Sequence, residues 1–249
     1  MRVGRERNLR VLITGAAKRV GSAIARLLAE DGADHVLVHY GRSATEAKAL
    51  ARELKVLGAG RVSLLRGDLS RFQDVERVGK EALRLEPGLN AVVFNASLYE
   101  KTPFGRVAET DWNRHMDVNL KSVFFLAQRL GPAMKRKGGG KMVLIGDWSG
   151  LRPYVSYIPY CLSKTGVLYL TQALAKALAP EVQVNAVLPG PVLMPEAMGA
   201  REIETVQQAT LLKKIGSPKD VARAVRFFLK EAEFSTGSWL TVDGGRLIK

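Results

Sequence analysis

Val11-Leu12-Ile13-Thr14-Gly15-Ala16-Ala17-Lys18-Arg19-Val20-Gly21 is the stretch on which the fold turns. The short apolar run over residues 10–14 reads as a strand, and the periodic pattern over residues 20–31 reads as a helix. Gly15 and Gly21 fall between and just inside these elements, where missing side chains let backbone N–H groups approach a pyrophosphate at the positive end of a helix. Strand, glycine turn and helix in that order predict the first unit of a parallel sheet with a dinucleotide in its crevice.

Outward from this turn, short apolar runs alternate with longer stretches of helical period, the pattern of a parallel sheet covered by helices. Strands are expected over residues 10–14, 36–39, 62–66, 91–95, 141–145, 182–188 and 239–242, and helices over 20–31, 44–57, 73–85, 111–137, 159–178 and 218–230. Ser43-Ala44-Thr45-Glu46 and Ser70-Arg71-Phe72-Gln73 fit the capping box, and Ser217-Pro218 fits an N-cap with proline at the first helical position. No internal repeat or low-complexity linker breaks the pattern. The expectation is one α/β domain over residues 1–249, a doubly wound parallel sheet of about seven strands with helices on both faces. Residues 190–217, with Pro191 and Pro195, interrupt the regularity and read either as a lid over a substrate cleft or as an irregular loop.

With 47% hydrophobic and 25% charged residues, the 249-residue chain can bury one large core. Its basic start, Met1 to Arg10, runs into Val11-Leu12-Ile13 and glycine-rich sequence with no signal-peptide core, and no apolar run approaches the ~20 residues of a membrane span. A single cysteine, Cys161, leaves no internal disulfide. A cytoplasmic protein without membrane contact is the simplest account. The net charge of +14 suits nucleic acid, an acidic protein or an anionic small molecule. However, Lys and Arg are mixed with acids in stretches such as Arg71 to Arg84, the densest cluster, Lys135-Arg136-Lys137, ends a helix, and no nucleic-acid motif accompanies the charge. Most of it therefore reads as solvated surface.

Tyr160-Cys161-Leu162-Ser163-Lys164 places a phenol and an ammonium one helical turn apart on one face, where the charge is expected to lower the phenol's pKa from about 10. Asp147 stands thirteen residues before the tyrosine. After the second strand, where an acid would take the ribose hydroxyls of NAD, the chain reads His39-Tyr40-Gly41-Arg42-Ser43. Arg42 offers a planar fork to a phosphate, Ser43 a hydroxyl, and Lys18 or Arg19 further charge, which favours NADPH. The alternative is that Ser43 only caps its helix and Arg42 only faces water.

In this order the residues resemble the short-chain dehydrogenase/reductase family over nearly the whole chain: Thr14 to Gly21, Asp68-Leu69, Asn95-Ala96, Asn119, the Tyr160/Lys164 pair, Pro189-Gly190 and Val242-Asp243-Gly244-Gly245. The resemblance implies a Rossmann fold, adenine contact by Asp68 and Leu69, cofactor positioning by Asn95, and a catalytic group of Asn119, Asp147, Tyr160 and Lys164. Asn119 would anchor a water in a proton relay. Cofactor contacts are also expected from Gly15, Val20 and Gly21 in the first turn, from His39 and Tyr40 after the second strand, from Ala96 and Ser97 after the fourth, and from Pro189, Gly190 and Val192. Met194 occupies a place where the family often has threonine, which leaves more for the Val192 backbone to do. A homotetramer built through the long helices is implied as well, with a small molecule as substrate and no metal.

Two departures narrow the resemblance. Arg19 replaces the middle glycine of the turn, and Asp147 replaces the usual serine. Both are similar to the pteridine reductase branch, as are the segment from His39 to Ala47 and Asn95-Ala96-Ser97 followed by Tyr99. A ketone reductase needs a neutral donor near the carbonyl oxygen, which gains negative charge as hydride arrives, and an ionised carboxylate opposes that charge. Reduction of a ring C=N needs a proton at nitrogen, which a carboxylic acid of raised pKa, or a carboxylate relaying through Tyr160, can provide. Tyr99 would sandwich a flat pterin or folate-like ring, with Arg19 and Ser97 at its polar edges. The alternatives are that Asp147 points away and Tyr99 only packs. Rival functions are an NADPH-dependent carbonyl reductase, for instance of 3-oxoacyl groups on an acyl carrier protein, and a non-catalytic dinucleotide-binding sensor or scaffold.

Overall fold

Seven parallel strands form the centre of the computed structural model, which describes residues 9–194 and 198–249. Pro195 of the expected lid and the first eight residues of the basic start lie outside the described residues. The strands are β1 (Arg10–Ile13), β2 (His35–Tyr40), β3 (Arg61–Arg66), β4 (Ala91–Phe94), β5 (Gly140–Ile145), β6 (Val182–Pro189) and β7 (Trp239–Val242). Their order is β3-β2-β1-β4-β5-β6-β7, with Ile13 in register with both Val38 and Val93. The chain winds one way from β1 to β3 and the other way from β4 onward. A crevice therefore opens at the carboxyl ends of β1 and β4, where the winding reverses.

Both faces of the sheet are covered, which is why its strands read as continuous apolar runs rather than alternating ones. Val11 and Ile13 of β1 point into a core with α1 (Arg19–Glu30), α2 (Ala44–Val56) and α8 (Pro218–Lys230), through Ile24, Leu28, Leu50, Val225 and Phe228. Leu12, between them, joins the opposite core with α3 (Phe72–Leu85), α5 (Ser122–Arg136) and α6 (Ile158–Leu178), through Val78, Leu126, Leu130 and Leu174. Lys135 and Arg136 fall in the last turn of α5, where the helix dipole favours cations.

Three expectations change in the structure. The helix expected over 111–137 is α4 (Glu109–Met116) and α5 joined by a wide π turn, Asp117–Lys121. Asn119 lies in that turn, and the bonds its amide makes to two other segments supply a reason for the expansion that periodicity does not register. A helix not expected, α7 (Ala200–Gln208), lies within residues 190–217; none of its residues is buried, so it shows no core-facing stripe. Neither of the first two capping boxes forms. Glu46 turns to Lys18 rather than to the Ser43 backbone, while Ser70 donates to Asp68 in a local turn and α3 begins two residues later. Ser217 does precede Pro218 at the start of α8, and its N–H and hydroxyl both donate to Asp220 Oδ2 at 2.8 Å.

Candidate active site

The loops after β1, β2, β4, β5 and β6 meet at one edge of the sheet. In the first, Asn95 Nδ2 donates to the Thr14 and Gly15 carbonyls at 2.9 and 3.0 Å, and Thr14 Oγ1 accepts from the Asn95 and Ala96 N–H groups, both at 3.0 Å. This binds the glycine turn to the end of β4. Gly15 has φ +62°, and a Cβ on Gly21 would sit 2.4 Å from the Gly15 carbonyl oxygen and 2.6 Å from Asn95 Nδ2. The turn thus packs without room for side chains and aims the first turn of α1 at the crevice, a cradle that fits the pyrophosphate of a dinucleotide.

Arg19, which stands where the family has glycine, keeps a left-handed φ of +55°. A non-glycine residue held there costs on the order of 1–2 kcal/mol. The exposed side chain starts from the mouth of the crevice, beside Val20. Lys18 is ion-paired with Glu46, so its charge is already matched. Arg42, exposed after β2, has no ion pair among the described residues, and its charge helps hold Asp68 below the usual carboxylate range after the hydrogen bonds from Ser70. Ser43 precedes α2 without a side-chain capping bond. Leu69 is buried beside Asp68. Across the crevice, β6 ends at Pro189, the Gly190 N–H donates to the Val242 carbonyl at 3.0 Å, and Val192 is buried.

His39 differs from expectation. Its ring spends both nitrogens on protein: Nδ1 accepts from the Gly15 N–H at 3.1 Å, and Nε2 lies 3.2 Å from the Gly67 carbonyl. Burial lowers its pKa to about 4. The neutral imidazole is a strut between the glycine turn and the end of β3, so its side chain is a positioning group rather than a cofactor contact. Tyr40, next along β2, accepts from the Gly67 N–H through its carbonyl at 3.0 Å.

Tyr160 and Lys164 lie one turn apart on α6, both buried, with the ammonium 5.7 Å from the phenol ring centre. The Tyr160 hydroxyl donates to Asp147 Oδ2 at 2.8 Å, and Asp147 Oδ1 accepts from the Ser149 N–H at 2.7 Å as it caps a single 3₁₀ turn, Trp148–Gly150. Lys164 Nζ donates to the Ile145 carbonyl at 2.8 Å, and burial lowers its pKa to about 8 while Asp147 opposes that shift. Asp147 therefore points into the site.

The expected lowering of the phenol's pKa is reversed. Burial, followed by the neighbouring Asp147 charge, pushes Tyr160 well above its ordinary value. Burial likewise raises Asp147, against its bonds to Ser149 and the charge of Lys164. The sequence spacing places the lysine correctly but carries no information on the cost of desolvation, which dominates here. Asn119 differs as well. Its Oδ1 accepts from the Leu98 N–H at 2.7 Å and the Ser97 hydroxyl at 3.3 Å, and its Nδ2 donates to the Leu98 carbonyl and to Ser163 Oγ, both at 3.0 Å. The amide is saturated, so it holds the 97–99 segment against α6 and has no position left for a relay water.

Aromatic side chains wall the site. Tyr99 stacks on Tyr157 with centroids 4.6 Å apart and planes at 5°, and meets the Tyr160 ring edge-on at 4.8 Å. Trp148 meets Tyr154 at 5.0 Å, and the Arg246 guanidinium lies 5.3 Å from the Trp148 ring centre. Tyr154 also meets Tyr157, at 5.9 Å, and sequence reading missed Arg246, whose only signal was its place after the closing glycines. It also missed His115, a buried ring 6.4 Å from Tyr160 that bonds to the Asp111 carbonyl and accepts from the Glu100 N–H.

A glycine turn at a sheet switch point, facing a buried Tyr/Lys pair on one helix, defines an oxidoreductase that uses a nicotinamide dinucleotide. The chain belongs to the short-chain dehydrogenase/reductase family. A family model described as enoyl-(acyl carrier protein) reductase matches residues 15–246. Human dehydrogenase/reductase SDR family member 4 is 31% identical over 244 residues, covering 94% of this chain and 86% of the relative. The 3-oxoacyl-[acyl-carrier-protein] reductase FabG of Staphylococcus epidermidis is 30% identical over 242 residues, covering 96% of this chain and 98% of its own. Among solved structures, FolM alternative dihydrofolate reductase 1 from Brucella canis, complexed with NADP, superposes with a TM-score of 0.87 at 33% identity, covering 97% of this chain and 95% of that one. Among the described residues, no helix is long and apolar enough to cross a membrane and no group of His, Cys, Asp and Glu is placed to hold a metal ion.

Proposed function

We propose that the protein is an NADPH-dependent reductase of a pterin or dihydrofolate-like ring. The observation that carries this reading is the 2.8 Å bond between Tyr160 and a carboxyl, Asp147, whose pKa is raised by burial. The cofactor supplies the hydride. Tyr160 gives the proton to ring nitrogen and refills from Asp147, while Lys164, anchored on Ile145, sets the charge of the pocket. Tyr99 is half exposed beside Tyr160, and a flat ring entering the cleft can stack on it. Arg42, with no acid after β2, supports NADPH over NADH, as does the NADP complex of the Brucella canis relative. Residues 190–217, with α7, are proposed as the substrate lid.

The second reading, a carbonyl reductase, is favoured by the 30% identity to the Staphylococcus 3-oxoacyl-[acyl-carrier-protein] reductase. Asp147→Ser separates the two. Measured as NADPH consumption, it should cut reduction of dihydrobiopterin and dihydrofolate by on the order of 10²-fold, the usual worth of a general acid. Unchanged or improved turnover of acetoacetyl thioesters, with no pterin turnover in either form, would establish the carbonyl reading instead. A homotetramer is proposed through α4, α5 and α6, whose outer faces expose Trp112, Phe124, Leu162 and Tyr169. Light scattering of the purified protein tests it.

A further inference from the structure

Trp148, which follows Asp147, is covered by the first of a group of cations. Arg246 lies over the indole and donates from one guanidinium nitrogen to the Ala209 carbonyl at 3.0 Å. Lys213 Nζ donates to the Gln208 carbonyl at 2.8 Å, Lys249 Nζ donates to the same carbonyl, and Arg152 donates to the Lys249 backbone oxygen at 2.7 Å. Among the described residues Lys213, Arg246 and Lys249 have no side-chain ion pair, whereas Arg152 is spent on the Lys249 main-chain oxygen. Asp243, the carboxylate nearest in sequence, spends both oxygens on the Gly245 and Leu247 N–H groups. Crowding by Lys213 and Arg246 holds Lys249 below the ordinary lysine range.

The end of α7 explains part of this cluster, since helix C-termini attract cations. Three cations on two carbonyl oxygens exceed that role. Lys213 is also held at φ +52°, its turn fixed by Gln207 Nε2 on its own carbonyl at 2.9 Å and by the Leu212 N–H on the Gly244 carbonyl at 3.1 Å. A non-glycine residue fixed in the left-handed region marks a built feature. Beside this turn a cleft of about 480 Å³ is lined by Val192, Leu211, Leu212, Lys214, Asp220 and Asp243, with Lys213, Arg246 and Lys249 outside its lining.

Resting on the reductase reading above, we propose that Lys213, Arg246 and Lys249 receive the anionic tail of the substrate, whose reducible group lies at Tyr160 and Asp147. Multiple negative charges on a tail beyond an apolar spacer match the cluster, and Trp148 and Tyr154 supply the apolar stretch between. Carboxylates of a glutamyl tail and phosphates of a pantetheine-type carrier share this chemistry.

The test is equilibrium binding to the NADP⁺-loaded protein, followed by tryptophan fluorescence, for two matched pairs: folate against biopterin, and acetoacetyl-coenzyme A against the acetoacetyl thioester of N-acetylcysteamine. The acid-tailed member of one pair should bind more tightly, and Lys213→Gln/Lys249→Gln should reduce that preference at least about fivefold, as should raising the salt. Preference in the first pair assigns the tail to carboxylates; preference only in the second assigns it to phosphates and removes the pterin reading while keeping the tail site. Equal binding within both pairs, or a preference that survives the double variant, overturns the proposal and leaves the ring chemistry to be judged by Asp147→Ser alone.

Discussion

Acidification should loosen the glycine turn through one residue, His39. Its Nδ1 accepts from the Gly15 N–H, so the ring must be unprotonated there, and the Nε2–H is the donor toward the Gly67 carbonyl. Burial lowers its pKa from the ordinary 6.5 to about 4, so between these values the unfolded chain binds a proton that the folded chain refuses. The stability contributed by the neutral ring is complete above about pH 6.5 and is lost as pH falls toward 4. Integrating the proton difference from pH 7 to pH 5 gives a loss of about 2 kcal/mol. His35 also has a lowered pKa and acts in the same direction, so the residue must be isolated by difference. In His39→Asn the Oδ1 atom occupies the place of Nδ1 and keeps the acceptor for Gly15 without titrating. Urea unfolding at pH 7 and pH 5 should show wild type losing about 2 kcal/mol more than the variant. Equal losses in the two proteins would refute the neutral-strut assignment.

Tyr160→Phe should abolish turnover while NADPH affinity, measured by fluorescence titration, stays within about threefold, because the phenol oxygen bonds only to Asp147 among the described residues. Arg42→Ala should weaken NADPH binding roughly tenfold or more, as expected for a charge-assisted contact to phosphate, and leave NADH binding nearly unchanged. Equal effects on both cofactors would remove Arg42 from the phosphate site.

The strand–turn–helix at Val11 to Gly21 was legible because steric need for glycine and the switch between two periods are both local. The positions of the seven strands along the chain followed from apolar runs bounded by turns. Asn119 was legible as a residue but not as a geometry, since its π turn arises from bonds to Leu98 and Ser163, far apart in sequence. The same limit hid α7, which buries no residue, and the strut role of His39, which needs Gly67 twenty-eight residues away. The net shift expected for Tyr160 had the wrong sign, because spacing records the proximity of Lys164 and not the loss of water that raises the phenol.

That loss of water governs how the site can give up a proton. Tyr160 and Asp147 share a 2.8 Å bond within reach of a single cation, Lys164, whose pKa of about 8 keeps it mostly charged at pH 7. If Asp147 is already ionised, proton release by Tyr160 leaves two negative charges in contact against one positive, which opposes the step. If the pair holds both protons, release leaves one negative charge shared across the bond and matched by Lys164. The pair therefore acts as one acid, and its first proton is the useful one. Turnover should be greatest where Asp147 is protonated and should fall up to tenfold per pH unit as pH rises through its raised pKa. In Asp147→Ser that limb should vanish, with a lower rate limited by Tyr160 alone. A wild-type profile that instead rises through the same range would show that the ionised carboxylate is the working form, and the acid role assigned here to Asp147 would be lost.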